Sequence, residues 1–196
     1  MSLFCKKKQI TEELMKQEIV NTVLSMINSD TSITMEEVAK RSGVAKGTLY
    51  NYFANKEELF HYVHETFLCP LRDEKSRIFS EDKDPMEVLC DFTDYTFRSY
   101  ETVSRYFYFM QKYRTVEEDT KETRELVIKP LAATIRRGIE KGQIINVTPL
   151  ILAETIWGTI IGTFRSIEHA DADRPDMESM KQDVIRLLKR LLIIDK

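Results

Sequence analysis

Glycine and proline are scarce in this chain, six and five among 196 residues. That excludes collagen-like, linker-rich and low-complexity classes and leaves long stretches open to uninterrupted helix. Cysteine is rarer still. Cys5, Cys69 and Cys90 are odd in number and lack metal-ligand spacing, which excludes a disulfide scaffold or a zinc site. Reduced thiols in a cytoplasm are expected, with Cys69 and Cys90 serving as small buried hydrophobes. No apolar run reaches transmembrane length and no secretory signal is visible, so no membrane partner is expected. A positive surplus is missing as well: 29 Lys/Arg against 32 Asp/Glu give a net charge of −3. Such a balance excludes a protein that coats nucleic acid in bulk. Residues 1–64 carry eight basic and eight acidic side chains, so the remainder holds the deficit. A site-specific DNA reader needs only a local positive face, which Lys6, Lys7, Lys8, Lys46 and Lys56 can supply.

What is present is helical. Apolar residues make up 42% and charged residues 31%, as expected of amphipathic helices with solvated outer faces, and no strand pattern competes. The densest information lies in ITMEEVAKRSGVAKGTLYNYFANKEELF, from Ile33 to Phe60. Thr34 with Glu37 three residues on predicts a capping box, and Ser42-Gly43 ends the helix that follows. Gly43 can turn the chain left-handed without steric cost. A second short helix is expected from about Lys46 to Tyr52, with Leu49 and Phe53 spaced i, i+4 on its buried side. Asn55 and Glu58 announce the next helix, with Leu59, Phe60, Val63 and Phe67 as its inner stripe. Two short helices about such a turn form a helix-turn-helix, whose second helix enters the DNA major groove. Lys46, Gly47, Thr48, Tyr50 and Tyr52 are then left facing outward. Tyrosine hydroxyls and a lysine ammonium donate to phosphate oxygens and fix register. Lys46 and Thr48 reach base edges, and Gly47 lets the backbone come close.

The run T-x-x-x-[IV]-A-x-x-[SA]-G-V-x-x-G-T-L-Y-x-Y-F-x-[NS]-K-E-x-L, matched from Thr34 to Leu59, resembles the DNA-binding domain of TetR-type bacterial transcriptional regulators. The resemblance implies that Thr34, Tyr50, Tyr52 and Lys56 hold phosphates. It also implies that Lys46, Gly47 and Thr48 sit over the bases, with Met35 at a position that reaches them. Two departures stand out. Ala45 occupies a position where the family often has Ser, so the recognition helix lacks a side-chain cap worth about 1 kcal/mol. The stretch Asn28–Ser32 lacks the glycine usual there.

Ahead of the motif, a first helix is expected over Ile10–Asn28, with Lys6-Lys7-Lys8 as a basic arm before it. Beyond the motif, Pro70 is expected to break the chain and leave a short helix from Leu71 to Phe79. A long helix from Pro85 to about Tyr113 follows. Another runs from Val116 to Lys141, with a kink or register break at Pro130 and Gly142 closing it. Thr148-Pro149 opens a helix reaching about Ala170, and Met177–Ile194 forms the last one after a polar loop. The fold class is therefore all-α: an N-terminal three-helix helix-turn-helix domain (1–60) and a C-terminal helical ligand-binding and dimerisation domain (61–196).

Residues 92–113 hold nine of the chain's nineteen aromatics, more than one core face needs. They either pack as core or line a mainly apolar ligand site. Tyr95, Phe107, Met110, Trp157 and Phe164 are the candidates for a small-molecule effector site. Gly158 and Gly162, four apart, permit close helix approach, and Ile185, Leu187, Leu188, Leu191, Leu192, Ile193 and Ile194 make the last helix widely apolar. A homodimer through the last two helices is expected, because one recognition helix alone reads few base pairs.

An enzyme is not expected. His61 and His64 stand i, i+3 without a third ligand nearby, His169 is isolated, and no phosphate loop or nucleophile motif occurs. No cofactor or metal is implied. The reading is a homodimeric transcriptional repressor on a double-stranded palindromic operator, released by a small apolar or amphipathic inducer. The alternative is an architectural or cell-division DNA-binding factor of the same fold with no inducer.

Overall fold

A computed structural model describes residues 3–29, 33–80, 83–168 and 176–192, with side chains described from residue 10 onward except at 167, 168 and 191. The side chains of Cys5 and Leu191, together with His169, the loop residues 171–175, Ile193 and Ile194, therefore lie outside what is described. Every regular element among those described is helical: α1 (Leu3–Asn28), α2 (Met35–Arg41), α3 (Lys46–Tyr52), α4 (Lys56–Ile78), α5 (Pro85–Met110), α6 (Val116–Thr123), a π turn (Arg124–Ile128), α7 (Lys129–Glu140), α8 (Pro149–Glu168) and α9 (Met177–Leu192).

The chain divides into two compact units. The first runs to Leu71, past the expected boundary at residue 60, and also takes in Thr102–Arg114. Its core is built from α1 through Val20, Val23 and Met26, from α2 through Val38, from α3 through Leu49, and from Phe53, Phe60 and Val63. Tyr106 and Met110 of α5 complete it. α1 begins at Leu3, so Lys6-Lys7-Lys8 is helical and not an arm preceding the helix. Nothing between Leu3 and Asn28 stops a helix, for the stretch has neither glycine nor proline.

Local chemistry sets the element ends. Thr34 Oγ1 accepts from the Glu37 N–H at 3.2 Å. The reciprocal half of the box is absent, because the Glu37 carboxylate accepts from Arg41 Nε at 2.8 Å instead. Gly43 takes φ 70° between α2 and α3, the left-handed turn expected of it. Asn55 Oδ1 accepts from the Glu58 N–H at 2.8 Å, while Glu58 Oε2 reaches back to the Ala54 N–H at 2.6 Å. α4 then continues to Ile78 through Pro70, so no break occurs there. Pro70 is exposed, and the Thr66 carbonyl left without its i+4 donor can be met by water, while the flanking turns carry the helix across.

The second unit comprises Arg72–Glu101 and the chain from Thr115 onward. Its core joins Val88, Leu89 and Phe92 of α5, Leu131 and Ile135 of α7, Ile156 and Ile160 of α8, and Val184, Leu188 and Leu192 of α9. The register break expected at Pro130 takes the form of the π turn, in which the Lys129 N–H bonds to the Arg124 carbonyl. Gly142 closes α7 at φ 67°. Asp84 caps α5, accepting from the Met86 N–H at 2.9 Å, and Gln143 Nε2 ties the other carboxylate oxygen at 2.6 Å. Cys69 is exposed and Cys90 half-buried, so neither is the buried hydrophobe expected. On α4 and α5 both fall on the outer side of the apolar stripe, and spacing within that stripe, not side-chain chemistry, decides burial.

Candidate nucleic-acid interface

Leu49 and Phe53 are both buried, and pin α3 to the first unit's core by one side. That leaves Lys46, Gly47 and Tyr50 exposed and Thr48 half-buried away from that side, whereas Tyr52, expected to face outward, is half-buried and packs against the same core. Among the described residues the side chains of Thr48, Tyr50 and Tyr52 make no hydrogen bond within the chain, so their hydroxyls are unspent inside it. A Cβ built on Gly47 meets nothing within 4 Å, so no internal packing demands a glycine there. Ala45 at the start of α3 makes no side-chain cap, as its apolar side chain requires.

Thr34 is exposed, and because its oxygen accepts from the Glu37 N–H, its own proton remains available to donate outward. The Lys56 ammonium stands 5.2 Å over the Phe60 ring and 5.1 Å over Tyr113, which confines the charge to the start of α4. Met35 is the exception. It is 8% exposed and packs in the core with Val38 and Leu49, so its side chain does not belong to the outer surface. As the first residue of α2 and an apolar one, it gains more from the core than from water.

The outward neighbour is Glu36, a residue that sequence reasoning missed. Its carboxylate pairs with the Lys46 ammonium, the two side chains being 73% and 56% exposed. The hydrogen bond and charge of Glu36 hold the Lys46 amine above its ordinary range, and Lys46 lowers the Glu36 carboxyl in return. An acid and a base ten residues apart carry no helical periodicity; only the tight turn at Gly43 brings them together.

The five residues expected to line an effector site fall in two different cores. Phe107 and Met110 belong to the first unit's core, Tyr95, Trp157 and Phe164 to the second's. α5 is 26 residues long, about 39 Å, so one aromatic-rich helix supplies both. Within the second unit Phe164 stacks on Tyr100 at 4.1 Å and meets Phe97 at 4.8 Å, while Trp157 stands 6.2 Å from Phe92. Burial raises the Tyr95 phenol above its ordinary value.

A helix bound inside by Leu49 and Phe53, with lysine, glycine and free hydroxyls outside, defines a helix-turn-helix DNA-binding protein. Residues 31–63 match the profile of bacterial regulatory proteins of the tetR family. The chain carries a tetR-type helix-turn-helix segment, which supports DNA-binding transcriptional regulation. It is similar to the uncharacterized HTH-type transcriptional regulator YfiR of Bacillus subtilis, 22% identical over 83% of either chain. Its fold matches that of NalD, the secondary repressor of the MexAB-OprM multidrug efflux pump in Pseudomonas aeruginosa, at a TM-score of 0.72 and 20% identity, covering 94% of this chain and 98% of that one. A Saccharomonospora viridis protein solved in complex with choline also shares it, at a TM-score of 0.74 and 13% identity over 92% of this chain and 98% of the other. No helix among the described residues is long and apolar enough to cross a membrane.

Proposed function

We propose that this protein is a homodimeric repressor that binds a palindromic operator and leaves it when a small apolar or amphipathic molecule occupies the C-terminal unit. The observation that carries the DNA reading is the outer face of α3, where the hydroxyls of Thr48 and Tyr50 are unspent within the fold and Lys46 is held at the surface by Glu36. Lys46 and Thr48 read bases, Gly47 admits the backbone, and Thr34, Tyr50, Tyr52 and Lys56 hold phosphates. Met35 takes no direct part, its side chain being buried.

The dimer reading rests on α8 and α9. Ile151, Thr155, Gly158, Thr159, Gly162 and Ser166 recur at helical spacing on an exposed face of α8, with Glu154 and Arg165 along its edge. A Cβ on either glycine would meet nothing within 4 Å, so both are kept small for something outside the protomer. Leu187 of α9 is exposed too. The effector reading places a ligand against Tyr95, Trp157 and Phe164 in the second unit, without Phe107 and Met110. NalD, a repressor, and the choline-bound protein share the fold and support repression and ligand capture as the working pair. The proposed coupling runs along α4, which belongs to both units and carries a ligand-induced shift to the spacing of the paired recognition helices. A few ångströms suffice, because the two helices must sit about one DNA turn, or a near multiple, apart.

In vitro selection of random duplex DNA tests this reading. An enriched inverted repeat is expected, and Tyr50→Phe should weaken binding to all sequences alike, whereas Thr48→Ala should alter one preferred base. A folded protein that enriches nothing at low salt would move the architectural alternative ahead.

A further inference from the structure

We propose that Glu36 and Lys46 act as one reading unit for a G·C base pair in each half-site, Lys46 donating to guanine and Glu36 accepting from the cytosine amino group. This rests on the assignment of α3 as the DNA-reading helix. A carboxylate on a surface that approaches a polyanion is repelled unless it is neutralised or given a donor. Glu36 has both requirements met in one arrangement. Lys46 neutralises it within the chain, and its second oxygen stays open to accept from a base edge. The cap and the ion pair along α2 fall to other residues: Thr34 caps it, and Glu37 pairs with Arg41. Met35 turns inward beside it, so Glu36 is the first residue of α2 that faces outward next to the start of α3.

The order of groups chooses the base pair. Across the major-groove edge a G·C pair presents acceptor, acceptor and donor: guanine N7 and O6, then cytosine N4. An ammonium followed by a carboxylate meets all three, Lys46 spanning N7 and O6 and Glu36 taking N4. An A·T pair presents acceptor, donor, acceptor, so a carboxylate on the adenine amino group lies against thymine O4. A lysine alone reaches acceptors on any base or phosphate; the adjoining carboxylate removes that tolerance and sets which strand carries the guanine.

The test is selection of random duplex DNA by the full-length protein and by E36A, E36Q, K46A and E36A/K46A at one salt concentration. Both side chains are mostly exposed, so each variant should melt as the wild type does. The expected wild-type result is an inverted repeat with one invariant G·C per half-site. E36A should keep repeat and spacing but accept A·T at that pair, the mismatch penalty falling from roughly five- to hundredfold to under about threefold. E36Q should admit A·T as well, since an amide pairs with adenine. K46A and the double variant should relax the same pair and no other. Uniformly tighter binding by E36A with unchanged preferences would overturn the inference, making Glu36 a mask over Lys46. Relaxation of different pairs by E36A and K46A would overturn it too. If the wild type enriches no repeat, the DNA-reading assignment falls first and this inference with it.

Discussion

Burial changes what Lys75 can be. Read from its neighbours in DEKSR it is an ordinary surface lysine, yet it is half-buried and that burial lowers its amine to about 8, Glu122 opposing the shift only in part. An amine whose folded pKa lies below its unfolded value of 10.5 destabilises the fold while protonated in both states. Between about pH 8 and 10.5 the unfolded chain binds more protons than the folded one, so stability should rise with pH across that window. Lys75→Met should raise stability at pH 7 by roughly 1–3 kcal/mol and flatten that rise, as chemical denaturation at several pH values would read. A wild-type curve flat from pH 7 to 10 would mean that the amine is solvated. Single residues were legible in the sequence where one contact decides their fate. Leu49, Phe53, Gly43 and Asn55 are of this kind, each fixed by local spacing or local backbone geometry. Met35, Glu36 and Lys75 were not, because their surroundings are assembled by turns and helix packing that no short window contains.

Among elements, the glycines of α7 and α8 separate internal packing from a free face. A Cβ on Gly138 would stand 2.4 Å from Ile144 Cδ1, 2.8 Å from its Cγ1 and 3.3 Å from Pro85 Cβ. There α7, the start of α5 and the segment after Gly142 close on one another, and Ile144 itself is buried. Gly138→Ala should therefore cost about 1–3 kcal/mol by overpacking. Gly158→Ala meets open space within the protomer and should gain up to about 1 kcal/mol from helix propensity in the dissociated chain, whereas in the proposed dimer the added methyl should crowd the partner. Urea denaturation of both variants at equal protein concentration distinguishes the two environments; equal losses would show that Gly158 is packed as tightly as Gly138. Helix starts were legible from caps and prolines, at Thr34, Asn55, Pro85 and Pro149, since these act within one turn. Helix continuity was not. Pro70 lies inside α4 and Pro130 is absorbed by a π turn, because solvent or a local change of register can supply what a proline removes.

At the scale of the molecule, specificity demands more than one recognition helix supplies, so the proposed pairing through α8 and α9 is a test of the function proposed for the chain. A half-site read by one short helix offers few base contacts, and each is worth only about 1–3 kcal/mol of discrimination. Two copies held at a fixed separation multiply that discrimination and require an inverted repeat. Ile151 is 65% exposed and Leu187 51%, the positions on α8 and α9 at which the proposed pairing can be probed without touching the protomer's core. Ile151→Glu with Leu187→Glu places like charges on both copies of that face, where burial would leave them unpaired. Light scattering should then report a monomer, with the helical circular dichroism spectrum retained, since neither side chain belongs to the protomer's own core. Binding to an inverted repeat should fall at least roughly a hundredfold and become indifferent to half-site spacing, as expected once two linked readers become independent. Retention of the dimer with both glutamates in place would exclude this face as the interface. A monomer that still discriminated half-site spacing would be harder to accommodate, for spacing can be sensed only by two readers joined to each other.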